Sequence, residues 1–248
     1  RDWSVTGVQT CALPILVAGL FFARTRYKVE KENIPSQGMA REFREGLRYI
    51  RGNAVVLSAI LMSALLGFFG IPLLQQTPAL ARDVLSTIFD TETIIAARTS
   101  NMYLAQGVGA VTAAFMMAYL SSANKNKMLL WGQILFIVPV TLLGIVTNLS
   151  IVFILLAFIG WGTVTQLITM NTMIQIRVPN ELRGRVFSIY FWGLQGVAPF
   201  GSIVIGWIAQ TWSVQTSLVA GGLISLLSVI LVRLFFRQRR DNSPINEK

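Results

Sequence analysis

Two long uncharged stretches limit what this sequence can fold into. No acidic or basic residue occurs in residues 128–176, which number 49, or in residues 186–232, which number 47. A helix that crosses a bilayer needs about 20 apolar residues, so each stretch can hold two crossings joined by a tight turn. The sequence therefore predicts an all-α integral membrane protein. Its six complete spans are expected at 54–75, 99–121, 128–146, 151–173, 186–208 and 214–232.

Composition and charge placement agree with a membrane location. The chain is 54% hydrophobic and 13% charged, whereas soluble domains carry about 25% charged residues. Its net charge of +10 can indicate a nucleic-acid partner, but the basic residues follow the predicted spans instead. Beyond Arg1, 18 of them lie in connections on one side and only Arg82 and Arg98 on the other. The positive-inside rule then predicts a multi-pass protein of the plasma or inner membrane with a cytoplasmic C-terminus and no nucleic-acid partner.

Missing residue types exclude several chemistries. The chain has no histidine and a single cysteine, Cys11, so metal sites built on imidazole, Ser-His-Asp catalysis and thiolate zinc sites are excluded. No carboxylate occurs in a complete span, which leaves nothing for general acid–base chemistry inside the membrane. We expect no cofactor and no metal, and an enzyme is the least favoured class.

The start of the chain differs from the rest. Residues 1–15 (RDWSVTGVQTCALPI) resemble translated sequencing-adapter read-through and are expected not to be native. Residues 16–23 are expected to be the remnant of a preceding, truncated transmembrane helix. A signal peptide is disfavoured because basic residues follow this apolar run rather than precede it.

A linker and a tail flank the predicted six-span bundle at 54–232. Residues 24–53 are expected to be a cytoplasmic linker containing an amphipathic helix over Met39–Arg51. This helix either lies on the inner membrane surface or connects freely in the cytosol. Residues 233–248 are expected to be a cytoplasmic tail.

Small residues predict where helices pack and bend. Ala110, Ala114 and Ala118 of the second span repeat every four residues, a spacing that lets helices approach closely in lipid. A helix hinge is predicted in the fifth span at Gly196, Pro199 and Gly201. The third and sixth spans are the most uniformly aliphatic and are expected to face lipid.

Polar and aromatic side chains at membrane depth are the candidates for a substrate cavity. They either line a cavity or form hydrogen bonds between helices, which contribute about 0.6 kcal/mol each on average. The two interpretations are evenly balanced for Gln195 and Gln166, and packing is favoured for Gln106 and Gln133. The complete set of cavity candidates is Gln195, Gln166, Trp192, Thr163, Asn171, Gln106 and Phe69.

Two charged loops have two interpretations each. Arg183, Gly184 and Arg185 precede the fifth span, where they either set topology by their positive charge or hold one conformation closed. Asp90 and Glu92 lie in the longest loop of the opposite side. They are more simply solvated loop acids than a weak cation site.

Five short segments form a recognisable series along the chain. They are 44–50 (REGLRYI), 78–85 (PALARDVL), 107–110 (GVGA), 178–186 (VPNELRGRV) and 198–201 (APFG). In this order and spacing, they together resemble the C-terminal half of a major facilitator superfamily transporter, and the resemblance is greatest to enterobactin (siderophore) exporters and related drug-efflux permeases. It implies a twelve-helix fold whose two six-helix bundles rock about a central cavity, with a missing N-terminal half as partner. It also implies that Arg183, Gly184 and Arg185 form a gating loop.

Two functional hypotheses remain. The first is a secondary transporter that exports a small organic solute, either siderophore-like or drug-like. The second is a non-transporting membrane scaffold or receptor subunit. A bent, amide-lined fifth span favours transport, because a scaffold does not need one.

The predicted topology is tested with reporter tags. Tags inserted beside Asn148 and Trp212 are expected to be accessible from outside the cell, because both lie in turns between spans on the side poor in basic residues. A tag at Lys248 is expected to be accessible only after permeabilisation. Finding all three tags in one compartment would contradict the six-span topology.

Overall fold

The computed structural model describes residues 39–120 and 124–241. The predicted non-native segment 1–15, the predicted remnant 16–23, most of the linker and the end of the tail lie outside these ranges. All regular elements in the described ranges are helices, and six are long and apolar enough to cross a membrane, which confirms the expected all-α bundle. The helices are α1 (Met39–Gly52), α2 (Ala54–Val84), α3 (Glu92–Tyr119), α4 (Lys125–Leu143), α5 (Leu149–Arg177), α6 (Asn180–Thr211) and α7 (Val214–Asp241).

Helix α2 continues beyond the predicted end at residue 75 because its prolines bend it without ending it. Pro72 has no backbone N–H to donate to the carbonyl of Phe68, four residues earlier. The backbone widens into a π-helical turn over Leu66–Gly70, immediately before this proline. Such a turn absorbs the missing hydrogen bond. A second π-helical turn, Leu80–Val84, ends the helix.

Helices α3 and α5 approach each other closely at a pair of glycines. A Cβ atom added to Gly109 would lie 1.8 Å from the carbonyl oxygen of Ala157, and one added to Gly160 would lie 2.0 Å from the carbonyl oxygen of Gln106. The two backbones are therefore in direct contact. Only glycine permits this approach, which is the usual way that helices pack tightly in lipid.

The small residues that we expected to make such contacts do not make them. Ala114 and Ala118 are exposed and Ala110 is only partly buried. Gly107 is also open, since nothing lies within 4 Å of an added Cβ. Two residues turn a helix by about 200°, so Gly107 lies almost opposite Gly109. The small residues do recur every four positions in α3, but the face of α3 that packs against α5 is the opposite one, which carries Gly109.

Helix α1 packs against the ends of α5 and α6 and is neither free nor held by lipid alone. The Arg185 guanidinium forms an ion pair with Glu45, and the Tyr49 hydroxyl donates to the carbonyl oxygen of Arg177 at 2.6 Å. Gly46 faces α6, where an added Cβ would lie 3.3 Å from the Cβ of Arg185. Ile50 is 1% exposed. The helix is therefore part of the bundle.

The bundle has two chemically different ends. We define the basic face as residues 43–52, 124–127, 177–185 and 233–236. The turn face comprises residues 84–92, 143–149 and 211–214 at the other end. These names describe composition alone and leave the direction of insertion open.

On the turn face, two carboxylates bind arginines. Asp90 pairs with Arg98 at 2.8 Å, and Glu92 pairs with Arg82 at 2.5 Å. The backbone N–H of Thr87 also donates to Asp90 at 3.0 Å. This bond and Arg98 hold the pKa of Asp90 below its ordinary value. Asp90 is therefore a loop acid paired with arginine rather than simply solvated, and Glu92 is not in a loop, because it is the first residue of α3. The described residues contain no acidic cluster able to hold a metal.

The contact between α3 and α5 is tested by Gly109→Ala. The variant is expected to lower the Tm of the purified protein, because the new methyl group would meet a backbone carbonyl that cannot move without α5. Overpacking of this kind costs about 1–3 kcal/mol. Gly107→Ala is the matched control and should leave the Tm unchanged or slightly higher, because alanine favours helix. Equal effects of the two substitutions would contradict the packing.

Candidate functional site

The polar and aromatic face predicted on the fifth span is the exposed side of α6. The helix widens into a π-helical turn over Trp192–Gly196, bends at Val197 and resumes at Ala198. Trp192 is 67% exposed, and Gln195 is exposed beside it. The π-helical turn therefore presents an indole and an amide side by side.

The predicted hinge residues contribute to this irregular region in different ways. Gly196 ends the π-helical turn, and a Cβ added there would lie 3.1 Å from the Trp192 side chain. Pro199 occupies the first turn of the resumed helix. A Cβ added to Gly201 would lie 1.7 Å from the carbonyl oxygen of Phe68 in α2. Movement at this hinge remains a prediction.

Gln166 lies away from this face, between α4 and α5. Its side chain is 4% exposed. The amide nitrogen donates to the carbonyl oxygens of Gly132 at 3.2 Å and of Gly162 at 3.3 Å. Of the two interpretations from the sequence, this geometry matches hydrogen bonding between helices.

The remaining cavity candidates are half-buried and lie on three helices. The Thr163 hydroxyl donates to the carbonyl oxygen of Ile159 at 2.7 Å, and the Asn171 amide donates to that of Leu167 at 2.9 Å. Both side chains therefore bond to carbonyl oxygens of their own helix, α5. Gln106 of α3 lies where α3 contacts α5, and its amide nitrogen is buried with no hydrogen-bond partner among the described residues. Phe69 of α2 packs edge-on to Phe68 with ring centroids 4.8 Å apart.

Three buried hydroxyls were missed from the sequence. The hydroxyls of Thr165, Thr169 and Tyr190 are shielded and have no hydrogen-bond partner within the described ranges. An unpaired buried hydroxyl is costly and is a natural position for a bound water or a polar ligand atom. These hydroxyl residues are visible in the sequence, where they interrupt the apolar runs of α5 and α6. The sequence did not show that they lie on a buried face of each helix.

Arg183, Gly184 and Arg185 are not in a loop, as the sequence predicted, because helix α6 already begins at Asn180 and includes all three. Arg183 donates to the carbonyl oxygen of Gln175 near the end of α5 at 3.2 Å. Arg185 binds Glu45 of α1. Gly184 is exposed, with nothing within 4 Å of an added Cβ. This first part of α6 therefore connects α1, α5 and α6, and a gating role remains a prediction.

Gln133 forms an unexpected polar cluster between three helices. It is 2% exposed, and its amide nitrogen donates to the sulfur of Met62 at 3.0 Å. Its amide oxygen accepts from Nε and Nη2 of Arg233 at 3.0 and 2.6 Å. The sequence assigned Arg233 to the tail, whereas α7 continues through this residue.

Comparison with protein families agrees with this architecture. A family described as transmembrane secretion effector, within the major facilitator superfamily, matches residues 4–246. The chain belongs to this family. It is thus a member of a transporter family rather than an enzyme family. A search of curated proteins finds no significant match.

The two central glutamines of this chain are expected to respond differently to replacement by leucine. Gln166→Leu should destabilise the purified protein by about 1 kcal/mol, because it removes the hydrogen bond from α5 to the Gly132 carbonyl oxygen of α4. Gln195→Leu should leave the Tm unchanged, because its amide is exposed. Thermal unfolding in one detergent measures both. Loss of stability in Gln195→Leu alone would contradict the placement of the two side chains.

Proposed function

We propose that this chain is the C-terminal half of a secondary active transporter that exports a small organic solute by alternating access. Membership of a major facilitator family supports transport. The observation that carries the assignment is the face of α6 around Trp192 and Gln195. An exposed amide and an exposed indole at a π-helical turn are unusual in a helix that crosses lipid, and π-helical turns occur frequently at functional sites.

The chemistry of this face favours a neutral or amphiphilic solute, either siderophore-like or drug-like. No charged side chain lies between Val186 and Thr211. The large exposed residues around Trp192 and Gln195 are aromatic or aliphatic, and aromatic rings bind planar organic groups through their faces. The exposed members are Phe191, Phe200, Ile203, Val204 and Trp207.

The proposed partner is a second six-helix half of the same protein, as the resemblance implies. Helix α3 exposes a stripe of small residues, Gly107, Ala114 and Ala118, that makes no close contact within the described chain. A stripe of small residues gives no advantage in contact with lipid. In contact with another helix it does, because small residues allow the two backbones to approach closely. Helix α6 is also largely exposed. These two faces are where we place the second half, with the solute between them.

The direction of insertion is part of the proposal. We place the basic face in the cytoplasm of the plasma or inner membrane, because cytoplasmic loops carry the excess of lysine and arginine. The C-terminus is then cytoplasmic. We also place the chain closest to the enterobactin exporter and drug-efflux subfamily, on the segments that resemble it.

The proposed site is tested by Gln195→Leu in the complete transporter. We expect initial efflux from cells to fall about 3- to 10-fold, the effect of losing one hydrogen bond to the solute. The probes are ethidium, which is drug-like, and enterobactin. Gln210→Leu is the matched control, because Gln210 is also exposed on α6 but lies beside the turn face. It should leave efflux unchanged.

The alternative function, a membrane scaffold or receptor subunit, makes a different prediction. A scaffold would extrude neither probe, and Gln195→Leu and Gln210→Leu would be indistinguishable from the parent. Normal expression with no efflux of either probe would contradict export of this solute class. Undiminished efflux by the Gln195→Leu variant would contradict the proposed site but not the proposed export function.

A further inference from the structure

Arg233 carries a charge that no carboxylate balances within the described ranges. Its Nε and Nη2 donate to the amide oxygen of Gln133 at 3.0 and 2.6 Å, and Gln133 in turn contacts the Met62 sulfur. Both neighbours are neutral. A half-buried guanidinium beside neutral groups is costly unless an anion or water compensates its charge. Neither neighbour in this cluster supplies an anion, so an anionic partner would come from outside it.

One edge of the guanidinium remains available to such a partner. An arginine has five N–H donors, and the two on Nη1 make no hydrogen bond within the described ranges. In those ranges, the polar side-chain atoms that are both shielded and unbonded belong to Gln106, Thr165, Thr169 and Tyr190. Nη1 of Arg233 is not among them. It is therefore not fully shielded, and the half-buried Arg233 side chain can be approached where α7 meets α4.

The length of α7 relates Arg233 to the thickness of a bilayer. Arg233 follows Val214, the first residue of α7, by 19 residues. At 1.5 Å per residue this is about 28 Å, close to the roughly 30 Å thickness of the hydrocarbon layer. With Val214 at one boundary of that layer, Arg233 lies at the other, at the level of the phospholipid phosphates.

The surface around Arg233 is suited to lipid rather than to another helix. Its large exposed residues are apolar, and it lacks the small-residue stripe seen on α3. Acyl chains pack against such a surface without cost. The aliphatic members are Leu130 and Ile134 of α4, and Ile230, Leu231 and Leu234 of α7, and the aromatic members are Trp131 and Phe235.

Nearby charge favours an anionic headgroup over a zwitterionic one. Lys125 and Lys127 occupy the first turn of α4, which packs against α7. The sequence adds Arg237, Arg239 and Arg240 just after Arg233. A headgroup with its own ammonium would be repelled here, whereas basic clusters at helix ends attract anionic lipids.

We propose that Arg233, oriented by Gln133, binds the phosphate of an anionic phospholipid in the groove between α4 and α7. The planar guanidinium suits this role, because two parallel N–H groups can bind two phosphate oxygens while Nε and Nη2 stay bonded to the glutamine. The lipid would supply the missing negative charge and hold α4 and α7 together at the basic face.

The experiment titrates phosphatidylglycerol into the full chain purified in a neutral detergent. Native mass spectrometry counts retained lipid, and thermal unfolding reports its effect. Wild-type protein should bind phosphatidylglycerol and gain Tm, with a smaller gain from phosphatidylcholine. Arg233→Gln should bind about tenfold more weakly, the effect of losing a charge-assisted hydrogen bond. Arg233→Lys keeps the positive charge but cannot donate two parallel N–H groups. Its affinity for phosphatidylglycerol should lie between those of the wild type and Arg233→Gln.

Two controls separate this site from general attraction to a basic protein. Arg51→Gln removes the same charge from an exposed position on the basic face and should bind phosphatidylglycerol as the wild type does. Inorganic phosphate should give no gain in Tm, because it has no acyl chains to pack on the groove. Equal loss of binding in Arg51→Gln, equal protection by inorganic phosphate, or no phosphatidylglycerol effect on the wild type would each overturn the proposal.

Discussion

Hydrogen bonding of the backbone within each helix is the constraint on which the rest of this structure depends. The bilayer interior offers no water to an unpaired N–H or carbonyl group, so each crossing must be helical. Helix α2 shows how strict this requirement is, because it passes Pro72 by widening into Leu66–Gly70 rather than by ending. Lipid is also as apolar as the side chains, so the helices associate through backbone contact and polar bonds. The contact at Gly109 and Gly160 and the bonds of Gln166 are of these two kinds.

The number and approximate position of the crossings could be predicted, because the bilayer imposes the same length and the same exclusion of charge on each of them. Which face of each helix is buried could not be predicted. Gln166 and Gln195 are the same residue type at similar depth, yet one is buried between helices and the other is exposed. Gly107 and Gly109 differ in the same way. Whether such a residue is buried or exposed depends on which helices lie next to it in space, and a single sequence does not give that arrangement.

Polar groups in this bundle fall into two populations with different consequences. Those bonded to a neighbouring helix, such as Gln133 and Gln166, fix the relative positions of α4, α5 and α7. Those left exposed or unpaired within the described ranges include Gln195 and the Tyr190 hydroxyl of α6, and the Thr165 and Thr169 hydroxyls of α5. Helix α5 therefore carries polar groups of both kinds. The bonded groups hold the helices in place, whereas the unpaired groups can accept a new partner without breaking those bonds.

The first π-helical turn of α2, Leu66–Gly70, touches the π-helical turn of α6, Trp192–Gly196, and the Phe68 carbonyl lies against Gly201 beside them. A π-helical turn holds one surplus residue, and moving that surplus along a helix rotates the intervening side chains by about 100° while most backbone bonds re-form. In α6 such a move would turn the side chains of Trp192 and Gln195 in a different direction. Because the Phe68 carbonyl leaves no room beside Gly201, a displacement of α6 toward α2 at this point would have to displace α2 as well.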